Sequence, residues 1–278
     1  LTSAKLNNAD LTNADLTEAT GKLANFTSAN LEDANFTSAD ISNATLTSAK
    51  IFKTNFDKTN LSSVIGISTT FTDVIATGAD LTYANLTGST FVNGDFQGAS
   101  LLLAHFDNGT INRTDFKNAL MQYSTYMSTT LISPQWEGAD LTGANFTSAT
   151  ITSSETTRTN FTSSKFDKTT TTNMNASEAI FDNATIKDST FTEFIAPKSS
   201  LNGVTIEGVD LRGAQLQGSD LNNSIIKESN FSLTKISKGK FANSDISNTN
   251  FTNSQLFSTD FSNSKIEKST FINTNFSS

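Results

Sequence analysis

The sequence has no cysteine, two prolines and a single histidine, His105, among its 278 residues. The lack of cysteine excludes a disulfide-stabilised scaffold. No apolar run approaches the roughly 20 residues that a membrane-spanning helix needs, and the first residues lack the pattern of a secretory signal peptide. Because the chain starts with Leu1, we expect either that a leader has been removed or that the sequence is a piece of a longer protein.

What the sequence does have is a five-residue repeat that runs from Leu1 to Phe276 without insertion or deletion. Its central position, here called the centre, recurs every fifth residue, and 49 of the 56 centres carry Leu, Ile, Phe, Met, Tyr or Trp. Two residues before the centre, 48 of 55 positions carry Ala, Ser, Thr or Gly. Neither position ever carries a charge, although the chain has 19 basic and 27 acidic residues. Both positions are therefore predicted to face a core.

The most regular segments are Ala9-Asp10-Leu11-Thr12-Asn13, Ala79-Asp80-Leu81-Thr82-Tyr83 and Ala139-Asp140-Leu141-Thr142-Gly143. They match the motif A-[D/N]-L-x-x, and the whole chain resembles the pentapeptide-repeat family. The resemblance implies an all-β fold, a right-handed quadrilateral parallel β-helix in which four pentapeptides form one coil. With four pentapeptides in each coil, the 56 centres of the chain would make about 14 coils. The uninterrupted frame predicts a single domain over residues 1–278, with no terminal caps visible.

Stacking of the coils is predicted to bury the inward side chains in one continuous column, because a single coil cannot cover its own apolar residues. The cross-section then has to be filled at the density of a protein interior. Four of the seven small centres are compensated within their own pentapeptide, as where Val64 precedes Gly66 and Met174 precedes Ala176 by two residues. The other three, Gly21, Thr156 and Thr171, are not, and looser packing is expected there. Inward serine and threonine hydroxyls need hydrogen-bond partners, which the neighbouring backbone is expected to supply.

Groups that can carry out catalysis are scarce. His105 directly precedes the centre Phe106 and is predicted to point to solvent, and the carboxylates are sparse along any one face. A general acid or base needs a positioned partner and usually a concave pocket, which a packed solenoid does not offer. The sequence therefore predicts a protein that is not an enzyme, with no catalytic residue, no metal site and no cofactor.

Threonine is concentrated on one outward face. A threonine precedes the centre in seven successive coils, and in four of these coils a second threonine follows the centre. Such an array is similar to the ice-contacting faces of β-helical antifreeze proteins, although threonine also suits an exposed strand for structural reasons alone. The candidate threonine face consists of Thr70, Thr72, Thr90, Thr110, Thr130, Thr150, Thr152, Thr170, Thr172, Thr190 and Thr192.

Apolar residues also occur at outward positions. Tyr83, Leu103 and Tyr123 recur at every fourth pentapeptide and are predicted to share one column, with Leu102 and Leu120 beside it. Contiguous apolar patches on a soluble surface usually mark contacts. These five residues are therefore a candidate patch for lateral association.

The first and last pentapeptides are ordinary repeats, although repeat proteins normally close their ends with atypical capping repeats. Each end is expected to expose unpaired strand edges and apolar core residues, which form a template for adding another chain. Either the solenoid continues into further residues, or copies stack end to end. The candidate end-to-end contacts are Leu1, Leu6, Leu11, Leu16, Phe261, Ile266, Phe271 and Phe276.

The sequence leaves three functions open. The first is a non-catalytic structural scaffold, either a subunit that self-associates end to end into a filament or a segment of a longer surface protein. The second is a DNA-mimicking, topoisomerase-binding protein of the gyrase-protection type. The net charge of −8 has the sign that this function requires, but 19 basic residues interrupt it. The third is an ice- or polymer-binding surface on the threonine face.

The expected partner is a second copy of the chain, bound end to end or laterally, or another protein. Nucleic acid is not an expected partner because the chain is acidic, with a pI of about 4.7. The composition, rich in threonine, serine and asparagine and free of cysteine, favours an extracellular or cell-surface location.

Overall fold

The computed structural model describes residues 1–277, and the chain divides into two compact units, Leu1–Asp140 and Leu141–Ser278. Across residues 1–277 every regular element is β-structure, as predicted. The five-residue frame continues unchanged from one unit into the next, so the sequence did not indicate this division. The single domain over residues 1–278 stays a prediction.

The strands are three residues long and are centred on an inward side chain. Unit 1 contains β1 (Lys50–Phe52), β2 (Thr70–Thr72), β3 (Thr90–Val92), β4 (Thr110–Asn112) and β5 (Thr130–Ile132). Unit 2 contains β6 (Thr150–Thr152), β7 (Lys165–Asp167), β8 (Thr170–Thr172), β9 (Thr185–Lys187), β10 (Thr190–Thr192), β11 (Thr205–Glu207), β12 (Ile225–Lys227), β13 (Asp245–Ser247) and β14 (Lys265–Glu267).

All strand pairs are parallel and join residues that are four pentapeptides apart. In unit 1 β1 to β5 pair in chain order, with Ile51 opposite Phe71 and Phe71 opposite Phe91. In unit 2 one ladder runs β6-β8-β10 and a second runs β7-β9-β11-β12-β13-β14. Each turn of either unit therefore contains four pentapeptides, which confirms the predicted parallel β-helix.

The solenoid has about 11 turns, slightly fewer than the roughly 14 coils that the chain length predicts. Every inward position from 21 to 256 is buried, whereas the inward residues of 1–19 and 259–274 are partly exposed. The end turns of the described chain still pair with the adjacent turn, as in the bridges from Lys5 to Asn25 and from Gln255 to Asn275.

Each pentapeptide bends the chain at the residue two after its centre. All 55 such positions from Ser3 to Asn273 have a positive φ, and nine of them are glycine. The turn is often closed by a hydrogen bond such as that from the Ala4 amide to the Leu1 carbonyl, at 2.8 Å. Positive φ is costly for β-branched residues. In agreement, no threonine, valine or isoleucine occupies this position.

Asparagine and aspartate directly before the centre stabilise the same bend. The Oδ1 of Asn25 accepts a hydrogen bond from the Thr27 amide at 2.9 Å, and the Oδ1 of Asp80 accepts one from the Thr82 amide, also at 2.9 Å. A side chain that bonds the backbone two residues later forms an Asx turn. This turn gives a physical reason for the [D/N] of the motif.

The core consists of large inward side chains stacked one turn apart. The rings of Phe71 and Phe91 lie parallel with centroids 4.6 Å apart in unit 1, and those of Phe161 and Phe181 lie 4.9 Å apart in unit 2. Val64 and Met174, which are predicted to compensate the small centres Gly66 and Ala176, are at most 1% exposed. The interior is therefore a continuous apolar column within each unit.

Candidate functional site

The outward surface divides into three positions per pentapeptide: directly before the centre, directly after it, and two residues after it. The third is the bend position, and 41 of its 55 residues are neither glycine nor apolar. Only five are large apolar or aromatic residues, namely Leu23, Tyr83, Leu103, Tyr123 and Leu233. Three of these five lie on successive turns in one column of unit 1.

The structure brings together the residues of the predicted lateral patch. The Tyr83 amide donates to the Leu102 carbonyl at 2.9 Å, and the Leu103 amide donates to the Gln122 carbonyl at the same distance. Tyr83, Leu103 and Tyr123 therefore form a ladder on three adjacent turns, here called the aromatic column. Tyr83 is 59% exposed and Tyr123 is 56% exposed, while Leu103 between them is half-buried.

Two leucines lie on the same side of the aromatic column. Leu102 directly precedes Leu103, whereas Leu120 pairs with Ser100 directly before the centre Met121, so that Gln122 lies between Leu120 and Tyr123. Leu120 is exposed and Leu102 is half-buried. The five predicted residues therefore lie on neighbouring turns of one face of unit 1, and their role as a contact patch stays a prediction.

The predicted threonine face is distributed over both units. In unit 1, Thr70, Thr90, Thr110 and Thr130 pair in register along β2 to β5. The position after the centre is Thr72 in β2 but Val92, Asn112 and Ile132 in the next three strands. The face of unit 1 therefore has one complete threonine column and a mixed second column.

The threonine face of unit 2 is complete. Its strands β6, β8 and β10 pair Thr150 with Thr170 and Thr170 with Thr190, and Thr152 with Thr172 and Thr172 with Thr192. These six residues are here called the threonine array. The array has two columns of three threonines, and it contains no charged side chain.

A second face of unit 2 has charges of alternating sign, which were not predicted from the sequence. Asp167, Lys187, Glu207 and Lys227 follow the centres of β7, β9, β11 and β12 and lie in register. The Nζ of Lys187 lies 2.8 Å from the Oε2 of Glu207. The hydrogen bond and charge of Glu207 raise the pKa of Lys187, and those of Lys187 lower the pKa of Glu207. The sequence does contain a signal for this face, because the sign of the charge alternates between residues that are four pentapeptides apart.

His105 lies in a small polar cluster on unit 1. Its Nδ1 is 3.0 Å from the Oγ1 of Thr125, which in turn donates to the Oδ2 of Asp107 at 2.9 Å. The Thr125 hydroxyl therefore lies between the imidazole and the carboxylate, so the imidazole does not contact the acid that would orient it in a catalytic triad. Within residues 1–277 no group of three or more metal-ligating side chains is arranged to hold a metal ion.

The predicted end-to-end residues differ in exposure from the large inward residues of the middle turns. Leu1 is 50% exposed, Ile266 is 39% exposed and Phe276 is 51% exposed, whereas Phe26 and Phe251 are completely buried. The remaining members, Leu6, Leu11, Leu16, Phe261 and Phe271, are partly buried. Apolar side chains with the pattern of the core are therefore accessible in the first and last described turns.

The architecture that these turns define is a parallel β-solenoid built from four pentapeptides per turn. The family model for pentapeptide repeats matches the sequence in eight copies, over residues 1–37, 24–51, 54–91, 84–122, 199–237 and 240–273. These matches cover more than half of the sequence. The chain belongs to the pentapeptide-repeat family, as its motifs indicated.

Solved structures of other pentapeptide-repeat proteins resemble the chain. HetL, involved in heterocyst differentiation regulation in the cyanobacterium Nostoc sp. strain PCC 7120, is 18% identical, with 76% of this chain and 88% of HetL covered and a TM-score of 0.46. QnrB1, a plasmid-mediated fluoroquinolone resistance protein, is 19% identical, with 78% and 90% covered and a TM-score of 0.30. A pentapeptide-repeat protein of the Arabidopsis thaliana thylakoid lumen is 23% identical, with 35% and 64% covered and a TM-score of 0.28.

At these identities the comparison concerns the fold alone. A search of curated proteins finds no match to the sequence. Among residues 1–277 there is no helix of the length and apolarity needed to cross a membrane.

Proposed function

We propose that the protein is a non-catalytic scaffold that self-associates, with the aromatic column of unit 1 as the lateral contact between two copies. The observation that carries the proposal is the concentration of large apolar residues at a position that otherwise holds small or polar ones. Tyr83, Leu103 and Tyr123 all have a positive φ, between 57° and 61°. Every bend has such a φ, so the distinguishing feature of the column is that three large apolar residues follow one another on successive turns.

The order of residues in the column is compatible with a symmetric dimer. A twofold axis perpendicular to the column and passing through Leu103 places Tyr83 of one copy against Tyr123 of the other. Leu103 then faces Leu103 of the second copy. Contacts of this kind, in which the same surface is used by both subunits, are the commonest in homo-oligomers. Tyrosine also suits such contacts, because its ring is apolar and its hydroxyl can remain hydrated.

The size of the apolar surface determines how strongly two copies are expected to associate. Stable interfaces bury about 800 Å² on each partner, and the aromatic column with Leu102 and Leu120 offers only five side chains. We therefore expect association that depends on protein concentration rather than a permanent dimer. Because a twofold contact uses the same patch on both copies, lateral association through the aromatic column ends at two copies.

Sedimentation velocity of the purified chain over a range of concentrations tests the proposal. The wild-type sedimentation coefficient should rise with concentration, and the double variant Tyr83→Asn and Tyr123→Asn should not show this rise. Asparagine tolerates positive φ and already occupies the bend position in many pentapeptides. The substitutions should therefore leave the fold intact.

Leu233→Asn is the matched control. Leu233 occupies the same bend position with φ of 61° and is 53% exposed, but it lies in unit 2 and has no apolar neighbour in its column. This variant should associate as the wild type does. A wild-type chain that sediments as a monomer at every concentration, or equal loss of association in the Leu233→Asn control, would disprove lateral association through the aromatic column.

A second candidate is end-to-end association into filaments, supported by the exposure of Leu1, Ile266 and Phe276. In a longer chain further turns would cover the same side chains, so the candidate concerns the 278-residue chain by itself. Negative-stain electron microscopy should show filaments for the wild type and none for Leu11→Glu or Phe271→Glu. Filaments that persist in both variants would contradict the end-to-end contact.

The alternative of DNA mimicry gains no support from the arrangement of charge. A DNA-like surface needs a continuous acidic face, and the longest run of acidic side chains in one outward column is the pair Asp95 and Asp115. Lys117 lies 3.7 Å from Asp115. Acidic and basic side chains are interspersed throughout, so self-association is the better supported function.

A further inference from the structure

We infer that the threonine array of unit 2 binds crystalline water, an activity separate from the self-association proposed above. The array is the largest outward surface in that unit formed by a single residue type in strict register. Its six members occupy two columns on three adjacent parallel strands, β6, β8 and β10. Each position is followed one turn later by another threonine until Asp210 ends one column and Arg212 ends the other.

The hydroxyls of the first column are free to bond to an external lattice. Thr150, Thr170 and Thr190 are exposed. Within residues 1–277, none of their hydroxyls donates to or accepts from a protein atom. Each hydroxyl supplies one donor and two acceptor lone pairs. The column is therefore a row of unsatisfied hydrogen-bonding groups with no charge between them.

The positions of these hydroxyls are fixed before any ligand binds. The Thr170 amide donates to the Ala149 carbonyl and the Thr190 amide donates to the Thr169 carbonyl, both at 3.0 Å. The inward side chains of the same strands, Ile151, Thr171 and Phe191, are at most 1% exposed. A β-branched side chain is also restricted about its first torsion angle. Little conformational entropy remains to be lost when an ordered lattice forms on the array.

The spacing along the columns fits ice. Oxygen atoms joined by hydrogen bonds lie about 2.75 Å apart, and tetrahedral geometry then places second-neighbour oxygens about 4.5 Å apart. Neighbouring strands lie about 4.8 Å apart, so the two spacings differ by about 0.3 Å per turn. Over the three strands of the array the difference reaches only about 0.6 Å, which is within the adjustment that a hydrogen bond tolerates.

The spacing between the two columns of the array fits the repeat of ice in the perpendicular direction. Residues on either side of a centre, such as Thr170 and Thr172, lie about 6.7 Å apart along an extended strand. The same bond length and angle give ice a repeat of about 7.3 Å along its hexagonal axis. The difference occurs once rather than repeatedly, because the array is only two columns wide. The array therefore matches a two-dimensional lattice, which an isolated threonine row does not.

Charged side chains would oppose the binding of ice. The distribution of charge in unit 2 agrees with the inference. A charged side chain holds its own hydration shell and costs free energy to desolvate. The outward positions of β7, β9, β11 and β12 on the other face include Lys165, Asp167, Lys187 and Glu207. The array has none. Of the two strand faces of unit 2, only the array is therefore suited to ordered water.

Ice recrystallisation in frozen solutions of the full chain tests the inference. Wild type should keep ice grains small during annealing just below the melting point, and Thr170→Lys should lose this effect. Thr170→Val, which removes the hydroxyl but keeps the shape, separates hydrogen bonding from apolar contact. The matched control is Thr185→Lys, because Thr185 holds the equivalent position before the centre of β9 on the other face. This control should retain wild-type activity.

Circular dichroism and melting temperature establish that each variant is folded. Grain growth in wild-type solutions equal to that in buffer, or equal loss of activity in Thr170→Lys and Thr185→Lys, would overturn the inference. Binding of a polysaccharide through the array without any effect on ice would overturn it as well. The variant Tyr83→Asn and Tyr123→Asn should keep its effect on ice, so failure of self-association and failure of ice binding can be told apart.

Discussion

The Oγ1 of Thr169 donates a hydrogen bond of 2.7 Å to the carbonyl oxygen of Phe146, which lies 23 residues earlier and one turn away. The same relationship joins Thr54 to Leu31, Thr129 to Phe106 and Ser219 to Ala196. An inward hydroxyl thus connects adjacent turns through the core. The prediction that the neighbouring backbone supplies these partners is confirmed for those hydroxyls.

Replacement of Thr169 by valine should destabilise the protein by about 0.5–1.5 kcal/mol, the usual net value of one hydrogen bond. The cost stays small because the Phe146 carbonyl also accepts from the Ala149 amide at 3.0 Å and is not left unsatisfied. Denaturant unfolding of the two proteins measures the difference. A loss several times larger would show that the hydroxyl does more than bridge two turns.

Truncation of an inward aromatic residue should cost far more. Phe146 is completely buried, and its ring stacks on that of Phe166 with centroids 4.9 Å apart. Phe146→Ala should lower the free energy of unfolding by about 3–5 kcal/mol through lost burial and a cavity. The outward neighbour change Thr147→Ser should stay within about 0.5 kcal/mol. Equal effects at both positions would contradict the assignment of inward and outward residues.

Acid should weaken the turns that an aspartate closes. Asp15 accepts hydrogen bonds from the Thr17 hydroxyl and amide, at 2.6 and 3.1 Å, and these bonds lower its pKa; bonds from Thr12 do the same for the pKa of Asp10. A lowered folded-state pKa means that the unfolded chain binds the proton more readily. The stabilisation is therefore fully present above the unfolded pKa of about 3.9 and is lost as the pH falls through the folded pKa.

Melting temperatures measured from pH 6 down to pH 2, a range set by the carboxyl pKa of about 3.9, test this dependence. The double variant Asp10→Asn and Asp15→Asn should lose less stability in acid than the wild type, because asparagine keeps the turn acceptor and does not titrate. Asp33→Asn serves as the control, since Asp33 lies at the bend position, where its side chain closes no turn in the described part of the chain. If Asp33→Asn reduced the loss of stability in acid as much as the double variant does, the turns closed by Asp10 and Asp15 would not be the cause of the acid sensitivity.

The fold could be predicted because the five-residue repeat has no insertion, so the same residue types recur at the same position of every pentapeptide. The length of one turn, however, came from the family resemblance, because a period of five does not by itself say how many pentapeptides close a turn. The charges around Lys187 and Glu207 become neighbours only after this stacking. Apolar columns such as that of Tyr83 were visible because their residues contrast with the polar surface, whereas alternating charges resemble an ordinary solvated face.

The five-residue pattern separates inward from outward positions but does not by itself distinguish the bend from the other outward positions. The signal was the lack of β-branched residues in a threonine-rich chain, which follows from the positive φ of every bend. Ser163, with φ of 58° and an exposed side chain, tests this explanation. Ser163→Val should destabilise the protein by about 1–2 kcal/mol, and Ser163→Gly should be close to neutral, since glycine adopts positive φ without strain but loses more entropy on folding. Denaturant unfolding measures both, and a valine variant as stable as the glycine variant would show that backbone strain does not determine the residues at the bend.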